Sequence, residues 1–262
     1  MRKRIAFTLA EVLITLGVIG VVAAMTMPTL IANYQKKVWV NQLKKSVSTL
    51  EQGFHKMLAD DGVDSLENTK VFSAINSRCI ATYGVDDDGC KNFHKEIQKY
   101  FKVTSIQETG SYKFKDIKKT ATYRYPDNRT TGAMIHLADG MILMMYNLTP
   151  NEQASSYSCD FIKAHGGHMC ARMGNISIDV NGTKGPNIQG RDMFNFNISS
   201  TGNLVPFWSV DDRIYQTGSD QTSWKHTPTA CGTYGVPDAE QVSTYGSGCS
   251  ARIIENGWVM DY

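Results

Sequence analysis

The segment that decides the fold reads MRKRIAFTLAEVLITLGVIGVVAAMTMPTLI over residues 1–31. Three cations, Arg2, Lys3 and Arg4, precede an uncharged run at positions 12–31. At about 1.5 Å per residue this run makes a helix of roughly 30 Å, the thickness of the hydrocarbon core of a bilayer. We therefore predict a transmembrane helix whose basic end stays in the cytoplasm.

Two simpler interpretations of this segment are a secretory signal peptide, cut after the small residues Ala23 and Ala24, and a plain single-pass anchor. The uncharged run continues to Ile31 and then passes into a helical pattern, which argues against a signal peptide. Neither interpretation accounts for Glu11, because an acid at membrane depth costs about 3 kcal/mol and is normally paired.

Glu11 therefore needs a cation. Cleavage between Ala6 and Phe7 would remove the basic leader, residues 1–6, and create a new α-amine on Phe7. At about 4 Å and an effective dielectric constant near 20, an amine and a carboxylate attract by roughly 4 kcal/mol, comparable with the cost of burying the acid. If the amine belongs to a neighbouring chain, the unpaired acid drives assembly.

A basic leader, a small residue and then FTLAE at positions 7–11 before an apolar helix is similar to the class III signal of type IV pilins and type II secretion pseudopilins. The resemblance implies that prepilin peptidase cuts before Phe7 and methylates its amine, and that Glu11 binds the N-terminus of an adjacent subunit. Ala6 stands where the family usually has Gly.

The resemblance also implies a location and partners. The protein would be a single-pass membrane protein with its head outside the cytoplasm, associated with a filament after assembly. Its partners would be other pilin or pseudopilin subunits, prepilin peptidase and an inner-membrane assembly platform.

The further candidates for assembly in the apolar run are Gly17, Gly20 and Pro28. Pro28 falls where many pilins have a proline, and it must break the backbone bond to the Ala24 carbonyl. Gly17, Gly20 and Ala24 share one helix face, which allows close approach of a second helix. The alternative is that glycine is simply common in membrane helices.

Beyond the apolar run, hydrophobic residues keep a helical spacing and lysines occupy the solvated positions. The hydrophobic positions are Leu43, Val47, Leu50, Phe54 and Leu58, and the lysines are Lys36, Lys37, Lys44, Lys45 and Lys56. We predict that the helix continues to about Ala59 and that Asp60-Asp61-Gly62 ends it. This gives an N-terminal helix over residues 7–60, in the membrane to about residue 31, and a globular extracytoplasmic head over 61–262.

The head carries strand signals. Residues 133–146, AMIHLADGMILMMY, predict a β-hairpin around Asp139-Gly140, in which His136 is a packed or edge residue and not a ligand. Further strands are expected at 176–180, 194–198 and 204–207, and short helices at 66–77 and 92–101, the second with Phe93, Ile97, Tyr100 and Phe101 facing inward. The predicted fold class is α+β and pilin-like, with a long N-terminal helix packed on an antiparallel sheet, short helices and disulfide-closed loops.

The six cysteines form three local pairs, which indicates disulfides in an oxidising compartment. Six cysteines allow about 15 pairings, among which we prefer the sequential one. It joins Cys79 to Cys90, Cys159 to Cys170, and Cys231 to Cys249, the last pinning a short C-terminal helix stopped at Asn256-Gly257. Reduced buried thiols are the alternative, and residues 159–170, which include His165 and His168, would also suffice for a tetrahedral zinc.

A turn-rich loop over 178–192 concentrates carboxylate and amide oxygens, which suits calcium. The candidate ligands are Asp179, Asn181, Asn187 and Asp192. The EF-hand spacing is absent, and Asp, Asn and Gly are also what tight turns require. By resemblance, some pseudopilins have a calcium-stabilised loop. We expect no required cofactor, with calcium as an optional ligand.

Composition excludes some functions. The chain has 27 Lys and Arg against 25 Asp and Glu without a long block of like charge, so no nucleic-acid footprint is visible. Removing the three leader cations leaves 24 against 25, a formal charge of −1 that does not attract phosphate. No motif points to an enzyme.

We expect a structural subunit, minor or specialised, of a type IV pilus or type II secretion pseudopilus. The alternative is a membrane-anchored extracellular binding protein or adhesin that does not polymerise.

Overall fold

The computed structural model describes residues 8–73, 88–107, 112–117, 119, 122–125, 132–146, 148, 153–154, 157–218, 231 and 246–262. The side chains of residues 88–91, 107, 123–125, 132–133, 153–154, 213 and 217 lie outside this description. The chain consists of two compact units, Met1–Val38 and Trp39–Tyr262, and helix α1 contributes to both.

Helix α1 spans Leu9–Asp61 and continues through Pro28. It ends two residues later than predicted, at a glycine: Gly62 has a φ of +66°, a left-handed conformation that favours glycine. The N–H groups of Gly62 and Val63 donate to the carbonyls of Ala59 and Leu58, which satisfies the last turn.

The second unit contains short helices and an antiparallel sheet. The helices are α2 (Lys70–Ser73), α3 (Asp88–Ile97), α4 (Cys159–Ala164), α5 (Val210–Thr217) and α6 (Cys249–Glu255), with 3₁₀ turns at Leu66–Asn68 and Gly182–Lys184. The strands are β1 (Val103–Gln107), β2 (Tyr112–Lys115), β3 (Thr122–Tyr125), β4 (Gly132–Leu137), β5 (Ile142–Tyr146), β6 (Gln153–Ala154), β7 (Ala171–Asp179), β8 (Met193–Ser199) and β9 (Leu204–Pro206).

The main sheet has the strand order β1-β4-β5-β7-β8-β9, and β6 pairs with the start of β7. All of these pairings are antiparallel, and β2 and β3 form a separate antiparallel pair. The predicted α+β class, a long helix on an antiparallel sheet with short helices and disulfide-closed loops, is confirmed.

The predicted hairpin is formed by β4 and β5, with Met134 opposite Met144. Its turn contains Gly140, which has a φ of +90°, and the Leu137 N–H donates to the Met141 carbonyl to close it. His136 is half-buried within β4, opposite Ile142, as expected for a packed or edge histidine.

One face of the sheet packs against the second half of α1. The helix contributes Val40, Leu43, Val47, Leu50, Phe54 and Met57, and the sheet contributes Ile135, Leu143, Met145, Met173, Ile176, Ile178, Phe194, Phe196 and Ile198. Fully burying one such side chain contributes about 1.5–3 kcal/mol, so this interface holds the head together.

The opposite face of β7 and β8 is polar and also buried. Asn175 donates to Asn197 at 2.8 Å, Ser177 donates to Asn195 at 2.6 Å, and Asn197 in turn donates to Asp212 of α5 at 2.8 Å. Paired amides and hydroxyls can be buried because each desolvated group keeps a partner.

Two of the three expected disulfides are formed, Cys159–Cys170 and Cys231–Cys249. Cys79 and the side chain of Cys90 lie outside the described residues. Because Cys159 and Cys170 are joined, neither is available as a thiolate ligand for zinc.

Some elements differ from the prediction. The expected helix at 66–77 is a 3₁₀ turn followed by α2, separated by Thr69, and residues 74–77 lie outside the described residues. Helix α3 begins at Asp88 and ends at Ile97, earlier than the predicted 92–101, yet Phe93, Ile97 and Phe101 are buried as expected.

Candidate assembly site

Helix α1 begins with a capping box formed by Thr8 and Glu11. The N–H and the hydroxyl of Thr8 each donate to Glu11 Oε2 at 2.8 Å, and the Glu11 N–H donates to Thr8 Oγ1 at 3.3 Å. This reciprocal arrangement satisfies donors that a helix N-terminus leaves without intrahelical partners, and an acid in the first turn also suits the helix dipole.

The capping box uses only one oxygen of the Glu11 carboxylate. Within the described residues, Glu11 Oε1 accepts no hydrogen bond and no cation pairs with the carboxylate. Glu11 is exposed, so Oε1 is open to a donor from outside this chain. Ala6 and Phe7, the predicted processing residues, lie outside the described residues.

The large apolar side chains that follow Glu11 are exposed. Leu9 is 79% exposed, Met25 73% and Leu30 71%, and the most apolar stretch of α1 contains no buried residue. A core helix of a soluble protein would have most of this surface covered. Within the described part of the chain, α1 alone is long and apolar enough to cross a membrane, by length and composition.

The small residues of this segment leave open space. Apart from the adjacent residues and the backbone of α1 itself, a Cβ added to Gly17 or Gly20 would meet no atom of the described residues within 4 Å. The chain's own packing therefore does not require glycine at either position, and both remain available to a second helix. Pro28 leaves the Ala24 carbonyl without its usual helical donor, although α1 continues on both sides of it.

The predicted calcium ligands come together between β7 and β8. Asp179 Oδ1 accepts the N–H groups of Asn181 (3.1 Å) and Gly182 (2.7 Å), and the Tyr112 hydroxyl donates to Asp179 Oδ2. Asp192 accepts the N–H groups of Asn187 (2.8 Å) and Ile188 (2.7 Å), one on each oxygen. All four carboxylate oxygens thus have protein donors, and the bond from the Asn181 N–H to Asp179, two residues earlier, is an Asx turn.

Burial raises the pKa values of the two carboxyl groups in this loop. It raises the pKa of Asp179 to about 7, against the opposing effect of the Tyr112 hydrogen bond, and it raises the pKa of Asp192. Among the described residues no group of three or more His, Cys, Asp or Glu side chains is placed to hold a metal ion. The side-chain oxygens of Asn181 and Asn187 are buried without a donor, so calcium at this loop stays a prediction.

His165 and His168 lie in the loop that the Cys159–Cys170 disulfide closes. His165 Nδ1 is 2.8 Å from the Phe161 carbonyl, and its ring stacks on Phe161 with centroids 4.0 Å apart. The backbone N–H of His168 donates to Asp211. These contacts hold the disulfide-closed loop against Phe161 and helix α5.

Sequence reasoning missed two partners of the candidate residues. The Thr-x-x-Glu spacing at positions 8–11 is a capping-box signature and could have identified Thr8. No local signal could have identified Tyr112, because it lies 67 positions from Asp179 and on a different sheet.

No protein-family model, no curated protein and no solved structure matches the chain. Its function therefore has to be inferred from its own residues and their geometry.

Proposed function

We propose that the chain is a structural subunit, minor or specialised, of a type IV pilus or a type II secretion pseudopilus. The observation that carries the proposal is a capped acid, Glu11, in the first turn of an exposed apolar helix. Glu11 lies four residues after Phe7, the residue before which prepilin peptidase would cut. The proposed role is assembly and display, without catalysis and without a required cofactor.

Before assembly, the first half of α1 would lie in the membrane with its apolar side chains in lipid. The capping box supports this step, because Thr8 gives the Glu11 carboxylate two hydrogen bonds within the chain. Hydrogen bonds to a charged group contribute about 1.5–3 kcal/mol, which offsets part of the cost of placing an acid in the membrane.

During assembly, the amine of Phe7 from an adjacent subunit would approach Glu11 Oε1, the oxygen that the capping box leaves open. Such a pair is worth roughly 4 kcal/mol at about 4 Å and an effective dielectric constant near 20. A methylated amine keeps its positive charge, so the pair survives processing. The open faces at Gly17 and Gly20 support close approach of the neighbouring helix.

The partners in processing and assembly would be other pilin or pseudopilin subunits, prepilin peptidase and an inner-membrane assembly platform. The head would stay outside the cytoplasm, where its disulfides are stable. We propose no specific nucleic-acid partner, since the processed chain has no excess of cations.

Substitution of Glu11 tests the proposal against a non-polymerising anchored adhesin. We expect Glu11→Val to abolish recovery of the chain in sheared filaments while leaving it in the membrane. Glu11→Gln keeps an acceptor for Thr8 but has no charge, so we expect it to be nearly as defective. Thr15→Val is the matched control, because among the described residues the Thr15 hydroxyl donates only to the carbonyl of Val12 in its own helix.

Normal filament incorporation of Glu11→Val would contradict the proposed role of the acid. Surface exposure without any filament-associated wild-type chain would instead favour the anchored adhesin.

A further inference from the structure

The last part of the first unit carries two lysines without acidic partners. Lys36 is half-buried and Lys37 is exposed, and neither forms an ion pair within the described residues. Four lysines of the second unit do have carboxylate partners there: Lys45 with Asp139, Lys56 with Asp60, Lys70 with Asp61, and Lys99 with Glu96.

The sequence around these lysines contains no acid. Between Glu11 and Glu51 there is no Asp or Glu, so the segment cannot neutralise its own lysines along the helix. Tyr34 precedes them by two and three residues and is 67% exposed. Tyrosine is enriched where a transmembrane helix crosses from hydrocarbon to the polar headgroups.

The position of this group along α1 matches the headgroup layer. Lys36 and Lys37 follow Ile31 by five and six residues, which at about 1.5 Å per residue places them roughly 8–9 Å beyond Ile31, where the apolar run ends. The polar layer on each side of the hydrocarbon core is about 5–8 Å thick. Lysine side chains extend several ångströms and place their ammonium groups among headgroups.

We propose that Tyr34, Lys36 and Lys37 form a headgroup-binding site on the outer side of the membrane, and that its occupant is an anionic phospholipid. Charge complementarity selects this occupant, because two ammonium groups without acidic partners face a layer in which anionic lipids supply phosphates. The inference rests on the membrane insertion that the proposed function requires. Binding would hold an unassembled subunit at a fixed depth until a filament recruits it.

Native mass spectrometry of the full chain tests this site. The chain is purified in micelles doped with equimolar phosphatidylglycerol and phosphatidylethanolamine, and the ratio of the two retained lipids is measured. A lysine near an anionic surface strengthens binding about fivefold, so we expect Lys36→Gln/Lys37→Gln to lower the phosphatidylglycerol preference at least fivefold. The leader cations are the same in every variant and cannot produce the difference.

Lys95→Gln/Lys102→Gln is the matched control, because it removes the same charge from two exposed lysines of the head. An equal loss of preference in the control, or an unchanged preference in Lys36→Gln/Lys37→Gln, would overturn the proposed site. Flotation of the same proteins with vesicles separates the two proposals. A chain that floats without a phosphatidylglycerol preference contradicts only the lipid site, whereas a chain that does not float contradicts membrane insertion as well.

Discussion

The two halves of helix α1 use the same residue types in opposite ways. Before Val38, the large apolar side chains are exposed and the glycines have open space around them. From Val40 onward, the apolar side chains are buried against the sheet, and a Cβ on Gly53 would overlap the ring of Phe101. The second half buries its apolar side chains inside the chain. The apolar surface of the first half stays exposed among the described residues, and surfaces of this kind mark sites of membrane or protein interaction.

The carboxylates of the two units also differ in how many of their oxygens accept a hydrogen bond from within the chain. Asp179 and Asp192 have a protein donor on each oxygen, whereas Glu11 uses one oxygen and leaves the other open. The contrast predicts different results for equivalent substitutions in the two units.

Phe54→Ala should have the largest effect on stability. Phe54 is fully buried and makes edge-on contacts with Phe72 and Phe101 at centroid distances of 6.1 and 5.9 Å. Losing such a ring costs about 3–5 kcal/mol, which chemical denaturation followed by near-ultraviolet circular dichroism would detect. Leu30→Ala, at a position 71% exposed, should leave the head's free energy of unfolding unchanged. Equal effects of the two substitutions would remove the distinction between the halves.

Val18→Lys tests the same distinction through membrane association. Val18 is 59% exposed in the first unit and Val259 is 53% exposed in the second, so solvent exposure alone would predict similar outcomes. A lysine at the centre of a membrane helix costs about 3 kcal/mol, so Val18→Lys should lower the carbonate-resistant membrane fraction. Val259→Lys should not. A membrane fraction unaffected by Val18→Lys would contradict insertion of the segment.

Gly53→Ala should destabilise the head by about 2 kcal/mol, because the added methyl must displace the Phe101 ring. Alanine normally favours a helix over glycine by about 1 kcal/mol, so the expected sign opposes helix propensity. Gly20→Ala has space for its methyl and should leave head stability unchanged. Denaturation midpoints of the two variants compare them directly, and stabilisation by Gly53→Ala would show that the Phe101 ring yields easily.

Asp179 should make the head more stable at acidic pH. Its folded pKa of about 7 lies above its ordinary value of 3.8, so unfolding releases a proton between these values. The stability contribution is therefore fully present below about pH 4 and is lost as the pH rises through 7. Relative to Asp179→Asn, the wild type should lose roughly 2 kcal/mol, several degrees in Tm, from pH 5 to 8. Asp160→Asn, at an exposed position, should follow the wild type.

The same melts at pH 8 test calcium at the loop between β7 and β8. Bound calcium would favour the ionised carboxylates of Asp179 and Asp192 and raise Tm by mass action. A Tm unchanged by calcium and by a chelator would leave turn formation as the loop's only role.

Local signals predicted the parts of the fold that depend on neighbouring residues. The Asp139-Gly140 turn between two apolar runs predicted the β4–β5 hairpin. Asn256-Gly257 predicted the end of α6, where Gly257 has a φ of +71° and the Trp258 N–H donates to the Ile253 carbonyl.

Other elements were not predicted. Either their stability comes from residues distant in the sequence, or their local signals were not recognised. Helix α5 has a polar sequence, yet Ser209 caps its start and Gly218 ends it in a left-handed conformation. Strand β7 is longer than predicted, and the register shift between Arg172 and Gly174 breaks the alternation that would mark its first residues.

The candidate assembly site was predictable in part. Glu11 stands out because charge is rare in an apolar run, and Thr8 belongs to a local capping motif. No cation among the described residues pairs with Glu11, so neither periodicity nor spacing can specify which molecule supplies one.

The central claim is tested most directly by intact mass and N-terminal sequencing of the chain recovered from membranes or sheared filaments. The account predicts a chain that begins at N-methylated Phe7, which would also establish that Ala6 is accepted before the cut. A chain that begins at Met1 would contradict processing and leave a plain anchor, and one that begins at Met25 would indicate a secreted domain.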